Sequence, residues 1–198
     1  WAEIMIQKRS YLIDLDSVVG DSDLGLTMSE GFAAASGTVK ALDAPELGKL
    51  VYAAGKAMST AVPSTMGTLI ASGFIQAGKV LRGQESLETR GMAAFFSAFF
   101  DGIQNRGHAQ PGEKTVLDGL TGFIALLKDA AEEDQPLEAI VDQMEIVAQD
   151  DLESTRTMIA KHGRAATRGE ASRSLLAPGA AVAHLLITGF AAFIREHA

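Results

Sequence analysis

Apolar residues in this chain recur at intervals of three and four rather than two, and that spacing leads to helices. Leu47, Leu50, Val51, Ala54 and Met58 fall on one helical face. Similar runs, rich in Ala, Leu, Met and Glu, fill the chain, while period-two alternation is scarce. The five prolines (Pro45, Pro63, Pro111, Pro136 and Pro178) stand mostly where such runs start or stop. Inside a helix a proline lacks the N–H and clashes with the preceding turn. The pattern predicts an all-α protein with about eight helices, near 2–14, 28–41, 45–61, 64–82, 87–105, 112–130, 135–162 and 178–196.

A chain of 198 residues, 47% hydrophobic and 21% charged, has the size and composition of one globular domain over 1–198. Such a domain buries roughly 70% of its unfolded surface and needs no covalent staples. The absence of cysteine removes disulfides, thiolate zinc sites and cysteine nucleophiles, so any metal must sit on oxygen or histidine. It also fits a reducing cytosol, and the cytoplasm is the expected location. The net charge of −8 has the wrong sign for neutralising nucleic-acid phosphates, so no nucleic-acid partner is expected. The apolar 183–194 stretch is too short for a membrane span and ends in Arg195-Glu196-His197, so no membrane association is expected. The opening residues 1–9 lack the basic-then-apolar order of an export signal.

Two polar connections, Gly83-Gln84-Glu85-Ser86 and Glu132-Glu133-Asp134-Gln135-Pro136, read as ordinary helix junctions, with Ser86 and Thr89 opening one helix. Residues 163–178 differ. Arg164, Arg168 and Arg173 among Gly163, Gly169 and Gly179 make a long, basic, structureless stretch in an acidic chain, and loops of that length tend to be functional.

The strongest local signal places Asp14, Asp16, Asp21 and Asp23 within ten residues, with Gly20 and Gly25 alongside, just before a helix expected to begin near Thr27. Carboxylates that close repel unless a cation holds them, and hard ions such as Mg²⁺ take oxygen ligands. The alternative is a solvated loop in which Asp23 or Thr27 caps a helix. The spacing does not satisfy a calcium EF-hand loop. A second signal, residues 62–68, places small and hydroxylic residues at a helix start. There unsatisfied N–H groups attract phosphate, or Pro63-Ser64 simply cap the helix while Gly67, Ala71 and Gly73 allow close packing. A third, residues 106–118, reads as a turn ahead of a helix. His108, His162 and His197 read as exposed and His184 as a satisfied core histidine. No hydrolase triad or two-histidine metal site assembles from these residues.

Taken in order, these segments resemble the nucleotide-binding L subunit, or L domain, of the dihydroxyacetone kinases. Gly20-Asp21-Ser22-Asp23-Leu24-Gly25-Leu26-Thr27-Met28 is similar to the family's G-D-x-D-H-G-x-N-M, with Asp16 five residues ahead of Asp21. Four further blocks agree in order: 62–74 around Gly67, 106–115, Gly163-Arg164-Ala165 followed by Gly169-Glu170, and Pro178-Gly179-Ala180. The resemblance implies an eight-helix antiparallel barrel with the nucleotide at one end. It implies that Asp16, Asp21 and Asp23 hold two Mg²⁺ ions on ADP or ATP, and that Leu24, Gly25, Leu26, Thr27, Thr65, Met66 and Gly67 line the phosphates. Gly107, Val116, Arg164, Ala177, Pro178 and Gly179 are then expected around the rest of the nucleotide.

The resemblance also implies a phosphotransferase active only with partners: a K subunit holding the ketose and, in the phosphotransferase-system type, an M subunit bearing a phosphohistidine. That type is the favoured expectation, as a homodimer or hetero-complex. An ATP-dependent kinase subunit for a four-carbon ketose and a non-catalytic, partner-binding relative are the alternatives. The chain departs from the family pattern at Leu24 (usually His), Thr27 (usually Asn), Ala177 (commonly Asp), and in Pro63-Ser64-Thr65-Met66-Gly67, where Gly-Gly-Ala-Ser-Gly is customary.

Overall fold

The structure, a computed structural model, describes residues 1–197. Among these the regular elements are α1 (Ala2–Gln7), α2 (Arg9–Val19), α3 (Leu24–Ala41), α4 (Leu47–Ala61), α5 (Thr65–Val80), α6 (Thr89–Gly107), α7 (Thr121–Glu132), α8 (Leu137–Ser154) and α9 (Pro178–His197). Two 3-10 segments, Thr155–Thr157 and Arg164–Ser172, lie between α8 and α9, and no strand is present among the described residues. The expected first helix is broken at Lys8 into α1 and α2, so the eight expected rods become nine helices.

From α3 onward each helix packs on its sequence neighbour, and α9 returns to α1 and α2, so the packing order closes on itself. Short connections make most consecutive helices antiparallel. The long α6–α7 and α8–α9 connections bring Arg106, His162 and Arg164 to the end that holds Asp21 and the start of α5. This order fits the barrel that the resemblance implies. It has one consequence for function. In an up-and-down arrangement alternate connections share an end. The α2–α3, α4–α5, α6–α7 and α8–α9 connections therefore gather at one end and the α3–α4, α5–α6 and α7–α8 connections at the opposite end.

One contiguous apolar cluster fills the interior. Its aromatic part is a run of edge-to-face contacts, with ring centroids 5.1 Å apart for Phe74 and Phe99 and 4.8 Å for Phe96 and Phe123. Each such pair adds about 0.5–1.5 kcal/mol beyond its buried area. Helix α9 has the length and hydropathy of a membrane span, but most of it is buried in this core, including Ala180, Ala181, Val182 and Ala183. His184, expected as a satisfied core histidine, is only partly so: its Nδ1 is buried without a hydrogen-bond partner, and burial holds its pKa below the usual value.

Several boundaries differ from the sequence expectation, each for a local reason. Helix α3 begins at Leu24, so residues 24–27 form its first turn. Helix α7 begins only at Thr121, because the Asp118 carboxylate accepts the N–H groups of Gly112 and Thr115 and holds the preceding residues in turns. Asp151 of α8 then accepts the Gly122 N–H at 2.8 Å, satisfying a donor of the new helix start. Helix α8 ends at Ser154 rather than near 162. The basic 163–178 stretch, expected to be structureless, carries the 3-10 turns of Arg164–Ser172.

Helices α4 and α5 meet along a seam of glycines. A Cβ on Gly78 would stand 2.6 Å from the Tyr52 nitrogen and 2.8 Å from the Gly48 oxygen, so no larger residue fits without moving backbone. Gly78→Val should therefore destabilise the protein by about 1–3 kcal/mol, read as a lowered urea midpoint with an unchanged slope.

Candidate functional site

At the end where the α2–α3 connection lies, Asp16, Asp21 and Asp23 each present one carboxylate oxygen, all within 4.8 Å of one another. Asp16 sits on the last turn of α2 and is buried, whereas Asp21 and Asp23 are exposed. The turn is tight enough that a Cβ on Gly20 would collide with the Asp16 carboxylate and push it out of place. Gly25 is equally constrained, because a Cβ on it would run into the Arg9 carbonyl. This close approach seats the α3 N-terminus beside α2. Asp16 Oδ2 accepts the Leu24 N–H at 3.4 Å, which orients the carboxylate.

Asp23 occupies the N-cap position of α3, yet its side chain makes no cap hydrogen bond. The capping alternative therefore does not account for it. Although Asp23 is exposed, its pKa is raised, first by partial loss of solvent around the carboxylate and then by the neighbouring Asp21 and Asp16 charges, with Arg164 opposing. Arg164 pairs with Asp21 at 2.6 Å. One guanidinium against three carboxylates leaves an excess of negative charge that a hard divalent cation neutralises, so the donor set fits Mg²⁺.

The same end carries a cleft of about 590 Å³. Its floor is the start of α5, where the Ser64 side chain caps the helix by accepting the Gly67 N–H at 3.0 Å. Thr65 and Thr68 line it from α5, Arg106 and Gly107 from the end of α6, and Val116 from the following turns. His162 and Gly163 close the remaining side. Residues 162–164 thus join the two halves of the site: His162 and Gly163 form cleft wall, and Arg164 reaches the carboxylates.

Of the residues named from sequence, Thr65, Gly107 and Val116 line the cleft. Met66 and Gly179 lie just beside it: a Cβ on Gly179 would stand 2.9 Å from the Val116 nitrogen and 3.1 Å from the Met66 methyl. Gly67, Ala177 and Pro178 are not lining residues; Gly67 and Ala177 are buried, and the Ala177 N–H is donated to Thr155 Oγ1 at 3.1 Å. Leu24, the departure from His, turns its side chain into the core and offers only backbone. Gly25 and Thr27 are also buried, and Leu26 is exposed.

Sequence reasoning missed His162 as a wall residue and Glu113 as its partner. Glu113 accepts the Gln110 N–H at 2.8 Å, pairs with His162 Nε2 at 2.6 Å and with Lys161 at 3.3 Å. Nothing local in the sequence signals pairs this distant along the chain. His108 is exposed at the left-handed end of α6 and takes no part in the cleft lining.

The Gln110 N–H, followed by the His162 and Lys161 contacts, pulls the Glu113 pKa down from 4.5 to about 2. A carboxylate depressed in this way stabilises the fold above its unfolded pKa and loses that contribution as pH falls through the folded one. Between pH 4.5 and 2 the wild type should therefore lose more stability than Glu113→Gln. Urea unfolding at stepped pH measures the difference, and equal slopes would show that the contacts are not maintained.

Comparison with known proteins places this geometry. The DAK2 domain family model matches residues 18–192. The chain is 29% identical over 178 residues to the PEP-dependent dihydroxyacetone kinase, ADP-binding subunit DhaL, of Escherichia coli (strain K12), covering 90% of this chain and 85% of that one. It is 31% identical over 177 residues to the PTS-dependent dihydroxyacetone kinase, ADP-binding subunit DhaL, of Lactococcus lactis subsp. lactis (strain IL1403), covering 87% and 82%. Its fold is similar to the dihydroxyacetone kinase of C. freundii solved with AMP-PNP and Mg²⁺, with TM-score 0.69 and 18% identity, covering 97% of this chain and 32% of that larger one. The chain belongs to the DAK2 domain family.

Proposed function

We propose that this chain, as a single domain, is the ADP-binding phosphotransferase subunit of a dihydroxyacetone kinase, passing a phosphoryl group through Mg²⁺-bound nucleotide to a ketose held on a separate K subunit. The observation that carries the reading is the junction at residues 162–164, which joins three clustered carboxylates to a nucleotide-sized cleft. The two relatives of nearly the same length are named PEP-dependent and PTS-dependent ADP-binding subunits. They support a phosphohistidine-bearing M subunit as the donor, a resident ADP as the acceptor, and the cytoplasm as the location.

In this reading Asp16, Asp21 and Asp23 hold Mg²⁺, two ions in the favoured form. Bound there, the metal would neutralise phosphate oxygens and withdraw charge from the transferring group. The chain's own residues do the rest. Asp16, fixed by the Leu24 N–H, orients the carboxylate set. Within the first turns of α3 and α5, the N–H groups of Gly25, Leu26, Thr65 and Met66 have no helical partners and suit phosphate oxygens, whereas those of Leu24, Thr27 and Gly67 are already donated to Asp16, the Asp23 carbonyl and Ser64. Leu24 and Thr27 also bury their side chains, so they shape the turn rather than contact phosphate. Arg164 supplies a guanidinium able to contact phosphate once a metal ion takes over Asp21. Val116 and Gly107 form the wall for the rest of the nucleotide, with Gly179 of the 177–179 turn packed against Val116. Phosphoryl transfer needs mostly positioning and charge neutralisation, so no nucleophile from this chain is required.

Asp21→Asn should abolish Mg²⁺-dependent nucleotide binding and lower transfer to the ketose by at least about a hundredfold, while association with the K subunit persists. Asp23→Asn should raise the melting temperature of the metal-free protein by relieving repulsion and remove the further rise produced by Mg²⁺ with ADP. Retained Mg²⁺-dependent nucleotide binding in both variants would contradict the assignment.

A further inference from the structure

We propose that Lys114 is a positioning residue for the nucleotide site, its buried ammonium clamping into one rim the three chain segments that carry Val116, Arg164 and the 177–179 turn. The proposal rests on the functional reading above, since the rim is taken to grip a nucleotide.

Lys114 is 7% exposed, unusual for a residue that almost always keeps its charge in water. Its Nζ donates to the Thr155 carbonyl at 2.5 Å, to the Leu175 carbonyl at 2.6 Å and to the Met158 carbonyl at 3.3 Å. An ammonium has three N–H donors, and all three are used. No carboxylate pairs with Lys114 among the described residues, so this cation serves backbone rather than a counter-ion.

The three carbonyls belong to two segments that also touch each other elsewhere, as where the Ser174 N–H is donated to the Arg156 carbonyl and Arg173 to the Thr157 carbonyl, and Lys114 ties both of them to the cleft wall. Thr155 and Met158 lie where α8 gives way to the stretch leading to His162 and Arg164, and Leu175 lies just ahead of Ala177. Lys114 itself adjoins Thr115 and Val116 of the cleft wall. Its backbone is in the left-handed region at φ 63°, a conformation a lysine adopts only when its surroundings enforce it. Glu113, one residue earlier, holds Lys161 and His162. Two neighbouring side chains thus anchor the same distant segment at two points.

Further hydrogen bonds extend the clamp. Thr155 Oγ1 accepts the Ala177 N–H at 3.1 Å. Ser172 Oγ accepts the Ala160 N–H at 2.9 Å and donates to the Gly169 carbonyl at 2.6 Å. Lys114 is absent from the cleft lining, so any effect it has on a nucleotide passes through the residues it holds. Removing the ammonium strands the buried Thr155 carbonyl and frees the half-buried Leu175 carbonyl, so the segments bearing them are expected to shift toward water.

The test compares wild type with Lys114→Met, Thr155→Val and Gly78→Val, the last being a destabilised control in the distant α4–α5 seam. Mg²⁺–ADP affinity is measured by calorimetry, and amide hydrogen exchange is followed in peptides covering 155–177. In Lys114→Met, exchange in 155–177 should accelerate and the dissociation constant should rise by about tenfold or more. Thr155→Val should move both in the same direction by less, and it carries the comparison if Lys114→Met does not fold. Gly78→Val should lower the melting temperature while leaving the dissociation constant within about twofold of wild type. Wild-type affinity in the folded clamp variants, or a loss no larger than in Gly78→Val, would overturn the positioning role while leaving the functional reading intact. A wild type with no affinity for Mg²⁺–ADP would overturn the functional reading itself, and the positioning role with it.

Discussion

Three like charges held within 4.8 Å of one another are the constraint on which the functional end of this protein depends. Such a cluster opposes folding unless something opposes the repulsion, and the surrounding architecture reads as a set of responses to it. Gly20 and Gly25 let α2 and α3 approach so closely that the Leu24 N–H reaches Asp16. The α3 N-terminus brings its partial positive charge to the same spot. Arg164 arrives from the far end of the chain to pair with Asp21. None of these removes the full negative excess, and the residual charge is the physical argument for a divalent cation.

The second feature is topological. Because the helices run up and down, four connections distant in sequence meet at one end, and the site is assembled from all of them. A site made this way needs cross-connections between loops. Those found here are Lys114 to the carbonyls of 155, 158 and 175, Glu113 to Lys161 and His162, and Arg164 to Asp21, while Asp118 with Gly112 and Thr115 and Ser172 with Ala160 brace single connections from within. The opposite end has connections of its own but no carboxylate cluster of this kind among the described residues. The α4–α5 glycine seam and the phenylalanine core serve the helical fold as a whole rather than either end.

What the amino-acid sequence reveals follows the range of the interactions involved. Helices were legible because their apolar period is local, and the acidic cluster was legible because its members lie within ten residues. The start of α3 lies a few residues ahead of the expected one because Gly25 packs against Arg9 and Ile13 of α2, an approach that no local pattern reports. The start of α7 was misplaced because Asp118 captures two backbone N–H groups that a helix would otherwise use. The 163–178 stretch was rightly distinguished from its surroundings by glycine and arginine content. Its 3-10 order depends on partners such as Ser172 and Ala160, which spacing does not disclose. The Glu113–His162 and Lys114 contacts join residues 41 to 61 positions apart and lie outside the reach of periodicity altogether.

A phosphohistidine donor requires a nucleotide that stays with the protein. The most direct measurement is to dialyse purified protein extensively in the presence of Mg²⁺, denature it and identify the small molecules released. Stoichiometric ADP is the predicted result, marking a resident cofactor recharged by a phosphohistidine donor. An empty site that takes up added ATP with Mg²⁺ would contradict the donor assignment, and a protein that holds neither ADP nor ATP under those conditions would contradict the account as a whole.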